Sequence, residues 1–140
     1  MRRIGNSTVI CDYYNANPTS VQAAIQTLSA VKAARKFAAL GDMLELGPDE
    51  IRYHCELSEA ILKNQLSGVF LYGPRMKHLF EALKGKIQFI EWDTSHEKLA
   101  EKMRTTVTDG DALLIKGSRG MKMETLFECF YGKPSNEGKA

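Results

Sequence analysis

Asp12-Tyr13-Tyr14-Asn15-Ala16-Asn17-Pro18 is the stretch on which the rest of the chain is organised. Before it, Thr8, Val9 and Ile10 form a β-branched run; after it, Val21, Ala24, Ile25, Leu28 and Val31 recur at helical spacing. A strand therefore stops, turns through two asparagines and a proline, and gives way to an amphipathic helix. Asn17 suits the N-cap, where its side-chain oxygen meets an orphaned backbone N–H, and Pro18 suits the first helical position, where a missing N–H costs nothing. The junction sets free amides and the positive end of a helix dipole beside an acidic side chain, a geometry suited to phosphate or nucleotide contact. Many strand-to-helix turns share that geometry and bind nothing, so its meaning depends on what else converges on it.

The same alternation continues along the chain. Ser7 to Asp12 is the first strand, Pro18 to about Ala34 a helix, and Lys36 to Leu40 a second strand ended by Gly41. The loop Gly41-Asp42-Met43-Leu44-Glu45-Leu46-Gly47 precedes a helix from Pro48 to about Gln65. Gly68 to Tyr72 is a third strand closed by Gly73-Pro74, and Met76, Leu79, Phe80 and Leu83 mark the next helix. Ile87 to Trp92 is a fourth strand; Thr94 or Ser95 caps a helix with Leu99, Met103 and Val107 on one face. After the Asp109-Gly110-Asp111 turn, Ala112 to Lys116 is the fifth strand. Gly117-Ser118-Arg119-Gly120 then leads into a last helix carrying Met123, Leu126, Phe127 and Phe130. The Gly/Pro/Lys-rich tail, 132–140, is predicted to fray, leaving one domain over 1–131.

Strands alternating with helices predict an α/β fold: a Rossmann-like, open, mostly parallel sheet of five to six strands, with right-handed crossovers covering both faces. Ligands of such sheets meet the loops at the carboxyl ends of the strands. Three of those loops carry chemistry: Asp12 to Asn17 after strand one, Asp42 and Glu45 after strand two, and Lys116 to Arg119 after strand five. For the three to cooperate, strands one, two and five must be neighbours.

Composition narrows the function classes. The 140 residues are 44% hydrophobic and 26% charged, enough for one globular domain with a core. The net charge of +2 is spread among alternating signs, so no basic patch argues for nucleic acid. No apolar run has the length of a membrane span or the form of a signal-peptide core. Cys11, Cys55 and Cys129 lack Cys-x-x-Cys spacing and read as reduced thiols of a cytoplasmic protein, without a nucleophilic role. Neither Gly-x-x-x-x-Gly-Lys-Ser/Thr nor Gly-x-Gly-x-x-Gly occurs, and no second histidine stands at metal spacing from His54, so no metal site is expected.

Taken together, three stretches resemble the C-terminal domain of the Mur ligases: Asp12 to Ser20, Leu40 to Gly47 with His54 downstream, and Lys116 to Glu124. Their order and spacing make the resemblance far more specific than any one of them, and it covers roughly the whole chain. The match is nearest to those members that join D-alanyl-D-alanine to UDP-N-acetylmuramoyl-tripeptide in peptidoglycan synthesis. The resemblance implies an ATP- and Mg2+-dependent reaction through an acyl phosphate, with both cofactors held mainly by a central domain that this sequence does not contain. It also implies an N-terminal domain for the UDP-sugar. On that reading Met1-Arg2-Arg3 looks like the start of an excised fragment just after an interdomain hinge. The fragment alone is expected to be inactive, closing on its missing domains to orient dipeptide and ATP. A freestanding nucleotide- or dipeptide-binding module and a non-catalytic interaction domain are the alternatives.

The resemblance assigns Asp12 and Asn15 to the nucleotide side. Asp12 can instead satisfy amides of its own turn, and Asn15 can supply a left-handed turn conformation. Of Tyr13 and Tyr14, one is expected in the core and the other against the adenosine. Asp42 and Glu45 are candidates for the ammonium group of the incoming dipeptide, although Glu45 could serve only to cap the helix after Pro48. Lys116, Ser118 and Arg119, bracketed by glycines, are candidates for its carboxylate, which an arginine can grip with two parallel bonds. Lys116 could instead steady a phosphate. His54 reads first as a core-edge residue bonded to backbone, and as a minor functional candidate.

Overall fold

The computed structural model describes residues 2–4 and 7–131; the tail at 132–140 lies outside the described residues. The strands are β1 (Arg2–Ile4), β2 (Ser7–Asp12), β3 (Lys36–Gly41), β4 (Gly68–Tyr72), β5 (Phe89–Asp93) and β6 (Ala112–Lys116). The helices are α1 (Pro18–Ser29), α2 (Glu50–Lys63), α3 (Met76–Leu83), α4 (His96–Thr106) and α5 (Met123–Tyr131). All strands join one sheet in the order β1-β2-β6-β3-β4-β5. β1 runs antiparallel to β2, and the other five are mutually parallel. The α/β expectation holds, and strands one, five and two of the sequence reading are adjacent as β2, β6 and β3.

Alternation along the strands divides the core. Ala38, Leu40 and Leu114 face Val21, Ile25 and Leu28 of α1, Leu57 and Ile61 of α2, and Leu79 of α3. Phe37, Ala39, Leu113 and Ile115 face Leu99 and Met103 of α4 and Leu126 and Phe127 of α5. Successive strand residues point to opposite faces, so near-continuous apolar runs are what a sheet covered on both sides needs. β6 is buried throughout, whereas the edge strand β5 is half-buried throughout.

Element ends differ from the sequence reading where turn hydrogen bonds compete with the helix or strand. α1 stops at Ser29 instead of continuing to Ala34, because the Ala30 and Val31 amides donate back to Thr27 and Leu28 in a tightened turn. Gly47–Asp49 forms a single 3-10 turn before α2, and α2 ends at Lys63, short of Gln65, which adopts a left-handed φ of 57°. β5 begins at Phe89, not Ile87, because its neighbour β4 begins at Gly68, in register with Phe89.

At the amino ends of the strands, Asp111 is buried. It accepts from Arg35 at 2.9 Å and from the Thr108 amide at 2.8 Å, while Arg35 lies over Phe37 and Phe89. That staple closes the end of the sheet opposite the three loops.

Candidate functional site

The strand order brings the three loops to one rim. Lys116 at the end of β6 is in register with Asp12 of β2 on one side and Leu40 of β3 on the other. Its side chain is 3% exposed, and its ammonium group donates to Asp12 Oδ2 at 2.6 Å and to the Asn15 carbonyl at 2.9 Å. A buried cation needs such partners, and both come from the first loop. Lys116 therefore holds that loop, its ammonium enclosed by these two oxygens.

Ser118 joins all three loops. Its hydroxyl donates to Ala16 O at 3.3 Å and accepts from Leu44 N at 2.9 Å, while its own amide donates to Asp42 O at 3.3 Å. The side chain is buried, and Ser118 is a structural link among the loops. Gly117 permits the approach: a Cβ there would lie 2.6 Å from Met123 Cγ and 3.2 Å from Gly41 Cα.

Asp42 is fully buried. Its Oδ1 accepts from Met76 N at 2.8 Å, and its Oδ2 accepts from Arg75 N at 3.0 Å and from Arg75 Nη1 at 3.3 Å. The carboxylate thus serves the N-terminus of α3, where anions are favoured. Arg75 also donates to Glu50 at 2.9 Å, and that bond, followed by Asp42, raises its affinity for its proton. The sequence reading missed Arg75, although Gly73-Pro74 marked the carboxyl end of a strand just before it.

His54 is also buried. Nε2 accepts from Met43 N at 3.0 Å, and Nδ1 lies 2.6 Å from Glu50 O, an oxygen that can only accept. The partners fix the neutral tautomer with the proton on Nδ1. His54 ties α2 to the second loop through backbone, the structural one of its two readings.

What remains open on the rim is a smaller set. Tyr14 is 75% exposed, and Asn15, Glu45 and Arg119 are exposed. The Arg119 guanidinium lies 5.5 Å from the centre of the Tyr14 ring. Tyr13 packs against the α4–α5 side of the core, leaving Tyr14 as the outward member of the pair. Glu45 stands at φ 63°, a left-handed conformation that costs a residue with a Cβ, followed two residues later by Gly47 at φ 79°. Asn17 has the capping role read from sequence: its Oδ1 accepts from Ser20 N at 2.9 Å, and Ser20 Oγ accepts from Asn17 N at 3.0 Å.

Tyr72, at the end of β4, has its phenol pushed above the usual tyrosine range by burial first and then by Asp42 and Asp93. A cleft of about 400 Å³ between α1 and α2, lined by Gln22, Gln26, Glu56, Glu59 and Lys63, contains none of the loop residues. Among the described residues no group of three His, Cys, Asp or Glu side chains is gathered as a metal site would need, and no helix is long and apolar enough to cross a membrane.

Residues 1–119 match the family described as "Mur ligase, glutamate ligase domain". The UDP-N-acetylmuramoyl-tripeptide--D-alanyl-D-alanine ligase of Rickettsia prowazekii is 39% identical over 131 residues, covering 91% of this chain and 28% of that protein. The Bacillus subtilis enzyme of the same name is 35% identical over 133 residues, with the same coverage of 91% and 28%. The crystal structure of MurF ligase from Thermotoga maritima in complex with ADP superposes with a TM-score of 0.82 at 31% identity, covering 98% of this chain and 31% of that one. The chain thus spans about 28% of the length of these curated relatives. It belongs to the Mur ligase family, in which it corresponds to the C-terminal domain.

Proposed function

We propose that this chain works as part of an ATP-dependent ligase joining D-Ala-D-Ala to UDP-N-acetylmuramoyl-tripeptide, in the cytoplasm, during peptidoglycan synthesis. Support comes from the names of the relatives and from the ADP in the Thermotoga structure. The single observation that carries the role of this domain is the rim on which Ser118 ties the three loops together, leaving Tyr14, Asn15, Glu45 and Arg119 outward.

ATP would supply the phosphoryl group that activates the tripeptide carboxylate. The exposed Tyr14 face and the Asn15 amide fit a nucleotide, offering a stacking surface and hydrogen bonds, and Asp12 lies half-exposed beside them. The described acidic groups do not fit Mg2+, which we assign to the other domains of the ligase. Arg119 suits the carboxylate of the incoming dipeptide, and Glu45 its ammonium group. Asp42, Lys116, Ser118 and His54 contribute by holding the loops. Orienting an amine against an activated carboxylate can lower a barrier by about 7–11 kcal/mol, and a domain that closes over it also excludes water.

The test is kinetic, in the full-length ligase that carries this domain. Arg119→Ala should raise the KM for D-Ala-D-Ala by at least tenfold, in line with about 1.5–3 kcal/mol for a charged hydrogen bond, while leaving the KM for ATP within about twofold. Arg119→Lys should recover only part of the loss, since a point charge cannot form two parallel bonds. An unchanged dipeptide KM in Arg119→Ala would refute this role.

A further inference from the structure

Outside the three loops, a half-buried ring reaches their rim from α4. His96 opens that helix just after its cap, Ser95. Its Nε2 lies 3.0 Å from the Met121 carbonyl oxygen, and its ring stacks on Tyr72 with centroids 4.1 Å apart and planes inclined by 16°. The Met121 carbonyl can only accept, so Nε2 is the donor in this contact. Nδ1 faces the Tyr72 hydroxyl at a long 3.4 Å, so the stack, more than that contact, sets the ring's position.

Both sides of the ring lead to the rim. Tyr72 ends β4, and its carbonyl accepts the amide of Asp42 at 3.1 Å, so its backbone belongs to the base of the second loop. Met121 closes the short 3-10 turn Arg119–Met121, which carries the third loop into α5. That turn has little of its own to hold it: Met121 N donates to Ser118 O at 2.8 Å and Lys122 N to Arg119 O at 3.2 Å. It then passes through Lys122 at φ 54°, a conformation that costs a residue with a Cβ and needs support from its surroundings. The Met121 carbonyl is where the support arrives.

We propose that His96 is a positioning residue of the ligase site. It anchors the Met121 carbonyl to the β4 end and thereby sets the direction in which Arg119 leaves its turn. Its effect on substrate rests on the reading of Arg119 as the carboxylate anchor; its effect on the turn does not.

The experiment separates the two. In this chain, backbone amide exchange of Met121 and Lys122 is followed by NMR for wild type, His96→Asn and His96→Gln. Glutamine can place an N–H near the Nε2 position, whereas asparagine is too short to reach it. His96→Asn should speed exchange of these amides by about 2–10-fold, the range expected for one lost hydrogen bond, with α1 and α2 amides unchanged. His96→Gln should stay within about twofold of wild type. Equal protection in all three proteins, or exchange rising evenly over the whole chain in His96→Asn, overturns the proposal. In the full-length ligase, His96→Asn should raise the dipeptide KM while sparing the ATP KM, with His96→Gln restoring it. A loosened turn with an unchanged dipeptide KM overturns the positioning role of His96 where Arg119→Ala raises that KM, and refutes the assignment of Arg119 where Arg119→Ala leaves it unchanged.

Discussion

Lys116 and Asp12 form one ion pair with two very different environments, 3% and 44% exposed. Removing either partner therefore has unequal consequences. Asp12→Ala leaves a buried ammonium with the Asn15 carbonyl as its remaining bond among those described above. Lys116→Met leaves a half-exposed carboxylate that water can solvate. Breaking a buried pair is costly chiefly through the charge left behind, whereas an exposed charge is cheap to abandon. Asp12→Ala should therefore destabilise the chain by about 3 kcal/mol and Lys116→Met by about 1 kcal/mol. Urea unfolding decides, and the opposite order would mean that Lys116 is better solvated than its burial indicates. Both residues could be named from sequence as members of loaded loops. That they spend their charge on each other could not, because 104 residues separate them and only the β2–β6 register brings them together.

At the scale of elements, helix starts are secured in two ways. α1 uses local chemistry, the reciprocal bonds of Asn17 and Ser20 with Pro18 at its first position, of which the Asn17 cap and Pro18 were legible in the sequence and the Ser20 bond was not. α3 has no cap of its own: Arg75 makes no side-chain cap bond, and the anion that meets its first amides is Asp42, from the loop after β3. Gly73 belongs to this arrangement. At φ 113°, a Cβ on it would lie 2.5 Å from the Asp42 carboxylate. Gly73→Ala should cost about 2–4 kcal/mol through backbone strain and displacement of that carboxylate. Asp42→Ala should itself be costly, yet the double variant should lose less than the two single losses added together, since the clash disappears with the carboxylate. A double-mutant cycle by urea unfolding measures this, and strict additivity would show that Gly73 acts through its φ alone.

For the whole molecule, the strand order decides what the loops can do. β6 inserted between β2 and β3 puts the carboxyl ends of all three side by side, and the outward residues are shared among their loops. On the proposed function, this rim is half of a cleft. The isolated chain should therefore bind ATP weakly, with a Kd above about 100 μM by calorimetric titration, because most contacts to the nucleotide would come from elsewhere in the ligase. Micromolar affinity would favour the freestanding binding module.

Local sequence determined the strand and helix types and the family, because periodicity, caps and turn residues are properties of neighbours along the chain. Tertiary structure alone decided which candidate side chains stay free. Asp42, Lys116 and Ser118 look as reactive on paper as Glu45 and Arg119, but burial forces a polar group to find partners, and these three found theirs in distant segments. Packing between distant segments chose those partners, and no pattern within a single segment carries that information.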